Sequence, residues 1–322
     1  MPPTVFLTRR VPGRVRAELE ASFELRLHDS EAPPSRAELL RGAAACAGLL
    51  TTLSDRVDGE LLDAAGPALR VVANYAVGTD NVDVGEAARR GVVVANTPDV
   101  LTEATAELAI ALMLGLARRV TEGDRLLRSG RPWVWSPTFM LSPGLRGRTL
   151  GIVGLGRIGS EVARLARAHG MEVVYAARRL HHDAEAPRVE LDELLARADV
   201  VSLHLPLTPA TTHLLGRAEL RAMRPTALLV NTARGPLVDE AALVEALASG
   251  EIAGAALDVF EREPELAAGL AALPNVVLTP HLGSATEAAR EGMGMLCVEA
   301  LRAVLLEGRE PRNVVRGPGG GG

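Results

Sequence analysis

The chain of 322 residues contains no lysine. That absence excludes any chemistry that needs a lysine Schiff base or a phosphate-loop lysine. Cysteine is scarce as well. Cys46 and Cys297 lie far apart, lack metal-ligand spacing, and read as two core thiols in a reduced, cytoplasmic setting. No apolar run is long enough for a membrane span: "LAIALMLGLA" (108–117) reaches about half of one and is flanked by charge. The opening "MPPTVFLTRR" has too short an apolar run for a secretory signal. There is no basic block, and the formal net charge is −5, so nucleic acid is not an expected partner.

Short β-branched runs alternate with helical patterns, which predicts an α/β chain with parallel sheets. A first set of strands is "TVFLT", "FELRLH", "AGLLTT", "LRVVANY" and "VVVANT". A second set is "TLGIVG", "MEVVYAA", "VVSLHLPL", "ALLVNTA", "IAGAALDVF" and "NVVLTPH". Two sheets in succession imply two similar domains. Between them an apolar helix is expected from Thr102 to Arg119, with Thr102 as N-cap and Glu103 and Glu107 in its early turns. It is too apolar to lie bare, which places it between domains or subunits. The arm that follows, "RPWVWSPTFMLSPGLRG", carries both tryptophans and has no clear period, as expected of a segment packed on a partner. If the last helix, within "SATEAAREGMGMLCVEALRAVLLEG", packs back on the first sheet, one domain is 1–98 plus 286–322 and the other is 99–285. The tail "RGPGGGG" reads as disordered.

The second set opens on Gly154, Gly156 and Gly159, a GxGxxG turn between the strand "TLGIVG" and the helix "SEVARLARAHG". Glycines there let the backbone approach a pyrophosphate, which then meets amide groups at the helix N-terminus. Dinucleotide binding follows. An acid usually stands about 20 residues on, to hold the ribose hydroxyls. Here the strand ends in Ala176 and Ala177, followed by Arg178 and Arg179. A neutral Ala176 does not repel a 2′-phosphate, and an arginine fork suits one. NADP(H) is therefore expected over NAD(H). The alternative is two exposed arginines in a surface loop.

Three further segments, "LVNTARGPLVDE", "ALDVFEREPEL" and "LTPHLGSAT", each put an ionisable group just past an apolar strand. In open α/β sheets that is where ligands bind. Arg234, Glu263 and His281 could thus converge, although each alone has an ordinary structural reading. Together they suit reduction of a 2-keto acid. A protonated His281 can give the carbonyl oxygen its proton, with Glu263 holding the imidazolium. Arg234 can pair with a carboxylate and polarise the keto oxygen.

Seven segments, in order, resemble the D-isomer-specific 2-hydroxyacid dehydrogenases, most closely their glyoxylate/hydroxypyruvate reductase branch. They are "NYAVGTDNVD", "GVVVANTPDVLTEATAELAIALML", "GLGRIGSEVARLA", "LHLPLTPATTHLL", "NTARGPLVDE", "ALDVFEREP" and "PHLGSAT". The resemblance implies two Rossmann-like, doubly wound parallel-sheet domains, the discontinuous one binding substrate. It implies Arg234, Glu263 and His281 as the catalytic trio, and the amides of Val77 and Gly78 as holders of the substrate carboxylate. Arg157 and Ile158 join the three glycines, Arg178 and Arg179 at the cofactor, and Asp258 would meet the nicotinamide side. Pro206, Thr211, Thr232, Gly283 and Ser284 would line the cofactor or substrate cleft. It also implies a homodimer formed through the arm and the long helix, with Trp133 or Trp135 reaching the neighbour's active site. Thr79 departs from the larger residue common in glyoxylate reductases.

The activity expected is NADPH-dependent reduction of glyoxylate and hydroxypyruvate. 3-Phosphoglycerate dehydrogenase is the enzymatic alternative, disfavoured by the missing acid at Ala176. A dinucleotide-sensing, corepressor-like protein is the non-enzymatic one, and it would need a partner-binding extension that the chain does not show.

Overall fold

The computed structural model describes residues 1–181 and 185–316, so the glycine tail from Gly317 lies outside the described residues. The chain divides into two compact units, one formed by Met1–Leu101 together with the chain from Ala285 onward, the other by Thr102–Ser284.

The first unit holds five parallel strands, β1 (Thr4–Leu7), β2 (Glu24–Leu27), β3 (Gly48–Thr51), β4 (Val71–Asn74) and β5 (Val93–Ala95), in the order β2-β1-β3-β4-β5. Every residue of β3 and β4 is buried, as befits central parallel strands covered on both faces. Helices α1 (Gly13–Glu20), α2 (Arg36–Ala43), α3 (Gly59–Ala65) and α4 (Val84–Arg89) make the crossovers. Their starts are written locally. Ser35 and Glu38 form a capping box on α2, while Asp58 and Asp83 accept from Leu61 and Glu86 amides at α3 and α4. The last helix, α11 (Glu287–Leu305), is capped by Thr286 and packs on β4 and α1.

The second unit begins with α5 (Thr102–Ala117) and α6 (Val120–Arg128). Six parallel strands follow: β6 (Thr149–Val153), β7 (Glu172–Ala176), β8 (Val200–Leu203), β9 (Leu228–Asn231), β10 (Gly254–Leu257) and β11 (Val276–Leu278). They are ordered β11-β10-β9-β8-β6-β7, with α7 (Arg157–Ala168), α8 (Leu191–Arg197), α9 (Arg217–Ala222) and α10 (Glu240–Ser249) between them. One core layer lies under α8 and α10 around Leu194, Leu195 and Leu243; the other joins α5 and α7 through Met113, Ile152 and Val162. No helix among the described residues is long and apolar enough to cross a membrane.

The helix expected over 102–119 ends at Ala117, and a second one, α6, starts at Val120. Thr102 is already the first helical residue of α5 rather than its cap, and the chain turns at Arg119, which adopts a left-handed backbone (φ 56°). That conformation is held by the Arg119 guanidinium, which forks onto both carboxylate oxygens of Glu122 at 2.8 and 2.6 Å. The apolar character of α5 also has a different cause. Its buried residues pack on α7, β9 and β10 of its own unit. The helix is therefore not in itself a mark of a subunit boundary.

Candidate active site

The glycine turn sits at a topological switch point, because β6 has β7 on one side and β8 on the other. Gly154 has φ 95°, and a Cβ on it would collide with the His204 carbonyl just past β8. A Cβ on Gly159 would strike the Gly154 carbonyl. Gly156 differs: nothing lies within 4 Å of the position its Cβ would take, and as N-cap of α7 it offers no side chain to the helix amides. Two glycines thus pack the turn and the third leaves open space before an uncapped helix start. These features fit a dinucleotide pyrophosphate.

The adjoining strand β7 ends at Ala176, whose carbonyl accepts the Gly154 N–H at 2.9 Å. Arg178 and Arg179 follow and are exposed, and neither has an ion-pair partner among the described residues. On the other side of the switch point, the Thr211 hydroxyl closes its own loop, donating to the Pro206 carbonyl at 2.8 Å and accepting the Thr208 N–H at 2.8 Å. The Thr232 hydroxyl, just past β9, is buried and has no hydrogen-bond partner among the described residues.

Arg234, Glu263 and His281 follow β9, β10 and β11, which are adjacent in the sheet. Arg234 leaves β9 through a turn stitched by Asn231, whose side chain donates to the Arg234 carbonyl (2.8 Å) and accepts the Ala233 N–H (3.0 Å). Gly235 lets this turn press on the next loop, since a Cβ there would overlap the Phe260 carbonyl group. The Arg234 side chain donates to the Ala233 carbonyl at 2.7 Å.

Glu263 accepts the Phe260 N–H at 3.0 Å on Oε1 and meets His281 Nδ1 at 2.9 Å on Oε2. Burial by itself pushes this carboxyl up. The His281 hydrogen bond and charge, the Phe260 amide and the Arg234 charge together outweigh burial and hold it below the usual carboxylate range. The Arg234 charge therefore reaches Glu263. A carboxylate accepts only, so His281 Nδ1 carries the hydrogen in this pair. Nε2 makes no hydrogen bond with a described residue.

His281 has a left-handed backbone (φ 55°), uncommon for a residue with a Cβ. Asp258 maintains it. The carbonyl of Asp258 accepts the His281 N–H (2.8 Å). Its Oδ1 accepts the Leu282 N–H (2.7 Å) and the Thr279 hydroxyl (2.6 Å), and its Oδ2 accepts the Gly283 N–H (2.8 Å). Thr105 on α5 donates to the Gly283 carbonyl at 2.9 Å. Asp258 is fully buried and both its oxygens are engaged by this turn. It is thus the anchor beneath His281. Ser284 follows directly on this turn, at the end of the unit.

Val77 and Gly78 belong to the first unit, in the loop that leaves β4. Val77 is exposed and Gly78 partly so, and neither amide donates to a described residue.

Comparison with known proteins gives three concordant findings. The model of the D-isomer specific 2-hydroxyacid dehydrogenase NAD-binding domain matches residues 110–283. A glyoxylate reductase of Thermococcus litoralis is 47% identical over 98% of this chain and 97% of its own length, and one of Korarchaeum cryptofilum is 48% identical over 98% and 96%. Among solved structures, a protein from Thermus thermophilus superposes with TM-score 0.92 at 50% identity, covering 97% of this chain and 100% of that one. An NADPH-dependent glyoxylate/hydroxypyruvate reductase from Sinorhizobium meliloti, solved with NADP and malonate, gives TM-score 0.86 at 38% identity over 98% and 97%.

Proposed function

The chain belongs to the D-isomer-specific 2-hydroxyacid dehydrogenase family, and from that premise we propose that it reduces glyoxylate and hydroxypyruvate to glycolate and D-glycerate, with NADPH preferred over NADH. That it is an NAD(P)-dependent D-2-hydroxyacid dehydrogenase follows from membership; substrate, cofactor preference and residue roles are our reading.

The observation that carries the roles is the His281–Glu263 pair. With Nδ1 committed to Glu263, Nε2 of the imidazolium is the nitrogen left to hand a proton to a substrate. When bound, the reduced nicotinamide supplies the hydride. His281 gives its Nε2 proton to the keto oxygen, so C=O becomes CH–OH, and the neutral imidazole then takes a proton from solvent. Glu263 keeps the imidazole in orientation through Nδ1. Arg234 pairs with the substrate carboxylate and polarises the keto oxygen. The amides of Val77 and Gly78 are further donors to that carboxylate. Gly154, Gly156, Arg157, Ile158 and Gly159 take the pyrophosphate, while Arg178 and Arg179 take the 2′-phosphate. Pro206, Thr211, Thr232, Gly283 and Ser284 contribute to the surrounding walls. The Thr232 hydroxyl, without a partner among the described residues, supports that placing, since a buried hydroxyl gains by meeting a ligand.

The test is a panel of 2-keto acids assayed with each cofactor. Highest kcat/KM for glyoxylate or hydroxypyruvate with NADPH is expected; preference for 3-phosphohydroxypyruvate with NADH would overturn the reading. Glu263→Gln probes the pair. Gln keeps the shape but not the charge that faces Nδ1. kcat for keto-acid reduction should therefore fall by about tenfold or more. An unchanged kcat would remove Glu263 from the mechanism.

We also read the arm as a subunit contact that makes the enzyme a homodimer. Trp133, Val134 and Trp135 are 51%, 78% and 74% exposed, and Val120 and Leu127 on α6 are exposed too. Trp133 stacks on Phe139 with ring centroids 6.1 Å apart, so the apolar group is shaped within the arm itself. Such a cluster is of the kind that a partner covers. Sedimentation at micromolar concentration should give a dimer, with a buried area above about 2,000 Å². A monomer there refutes the reading.

A further inference from the structure

The proposed carboxylate donors, the Val77 and Gly78 amides, lie on the first two of three consecutive peptide groups, Ala76–Val77, Val77–Gly78 and Gly78–Thr79. All three carbonyls are held from within the first unit. The Ala76 carbonyl accepts the Thr97 N–H at 2.8 Å. The Val77 carbonyl accepts Asn96 Nδ2 at 2.7 Å, and the Gly78 carbonyl accepts Asn74 Nδ2 at 3.0 Å. The one cis peptide among the described residues is Glu263–Pro264, so these three are trans. In a planar trans peptide the N–H points opposite to the C=O. Holding each carbonyl therefore aims the next N–H away from its anchor. The amides of Val77, Gly78 and Thr79 are the ones so aimed, and none donates to a described residue. Free, oriented backbone amides in succession are what an anion needs.

The anchors differ in how firmly they are built. Asn74 is fully buried, with Thr51 and Asn81 also on its amide group, so it is part of the core. Asn96 is only half-buried, and its position is set by another asparagine. The Asn96 N–H donates to the Asn313 carbonyl at 3.2 Å, and Asn313 Nδ2 donates to the Asn96 carbonyl. Val315 N–H donates to the Val94 carbonyl at 2.7 Å, so the segment after α11 lies along the edge of β5. A chain of contacts thus runs from Asn313 through Asn96 to the Val77 carbonyl, and so to the Gly78 N–H.

We propose that Asn96, held by Asn313, is a positioning residue that aims the Gly78 amide at the substrate carboxylate. This rests on the functional reading above. The carboxylate does not change charge during hydride transfer, so the amide holds ground state and transition state alike. Loss of aim should then raise KM and spare kcat.

The experiment compares Asn96→Ala and Asn96→Leu with wild type, by melting temperature and by steady-state kinetics with NADPH. Both variants should melt cooperatively within a few degrees of wild type. KM for glyoxylate should rise about tenfold, the size expected when one donor to a charged group is misaimed. The inhibition constant of oxamate, a non-reducible 2-keto acid mimic, should rise in parallel. kcat and KM for NADPH should stay within about threefold of wild type, and the glyoxylate-to-hydroxypyruvate preference should not move, because both substrates share the carboxylate. Asn313→Ala should give a smaller rise in the same direction, and it decides the matter if the Asn96 variants do not fold. KM and oxamate inhibition unchanged in the folded variants, or a fall in kcat without a change in KM, would overturn the proposal alone. A wild-type enzyme that reduces no 2-keto acid would overturn the functional reading and this proposal with it.

Discussion

Replacing His281 with alanine is expected to lower kcat for keto-acid reduction by about 10²- to 10⁴-fold while NADPH still binds. The imidazole is the group placed to give a proton, and nothing else in the 279–283 turn can do so. Thr279 is committed to Asp258, and the remaining contacts are backbone amides. The left-handed backbone of His281 makes a second variant informative. Alanine is strained at φ 55°, whereas asparagine visits that region readily. His281→Asn should therefore retain more stability than His281→Ala and be equally slow. If activity instead tracks melting temperature across the two variants, the residue supports the fold and another group gives the proton. Arg234→Ala should differ from both by damaging KM as well as kcat, because its charge meets substrate and transition state together.

The trio was legible because parallel sheets put ligands beyond strand ends. Arg234, Glu263 and His281 each follow an apolar run, and the three runs proved adjacent as β9, β10 and β11. The glycine turn was legible for a similar reason, since its spacing is a statement about backbone approach. Other features depend on contacts distant in sequence. The break at Arg119 has no glycine or proline to announce it; a side-chain fork onto Glu122 stabilises a backbone that propensity alone disfavours. The apolar face of α5 is the same whether it meets α7 or another chain, so its pattern could not say which. Asp258 stands in a motif that marks it, but only the turn at 279–283 reveals that its carboxylate also anchors the His281 backbone. Asn96 carried no signal, because an asparagine after a short strand is ordinary loop chemistry until its partners are known.

Cofactor choice depends on the end of β7. Arg178→Ala is expected to raise KM for NADPH by about 10- to 100-fold and to leave NADH nearly untouched, since a charge-assisted hydrogen bond contributes about 1.5–3 kcal/mol. Among the described residues no carboxylate pairs with this guanidinium. Arg179→Ala should have a smaller effect, because the family resemblance points to the first arginine of the pair. Ala176→Asp approaches the same phosphate from the other side. Its carboxylate would repel a 2′-phosphate and accept hydrogen bonds from the two ribose hydroxyls of NADH. Ala176 packs in the core layer with Val153 and Val174, so an acid there costs stability until a ribose meets it. The variant should consequently melt below wild type when free, and NADH should recover more of that loss than NADPH does. The two substitutions act on one phosphate, so the double variant should fall short of the sum of their separate effects on NADPH. Steady-state constants for both cofactors across wild type, the two single variants and the double variant decide the matter. A wild type that already prefers NADH, or an Arg178→Ala that weakens both cofactors equally, would return the two arginines to the solvated surface.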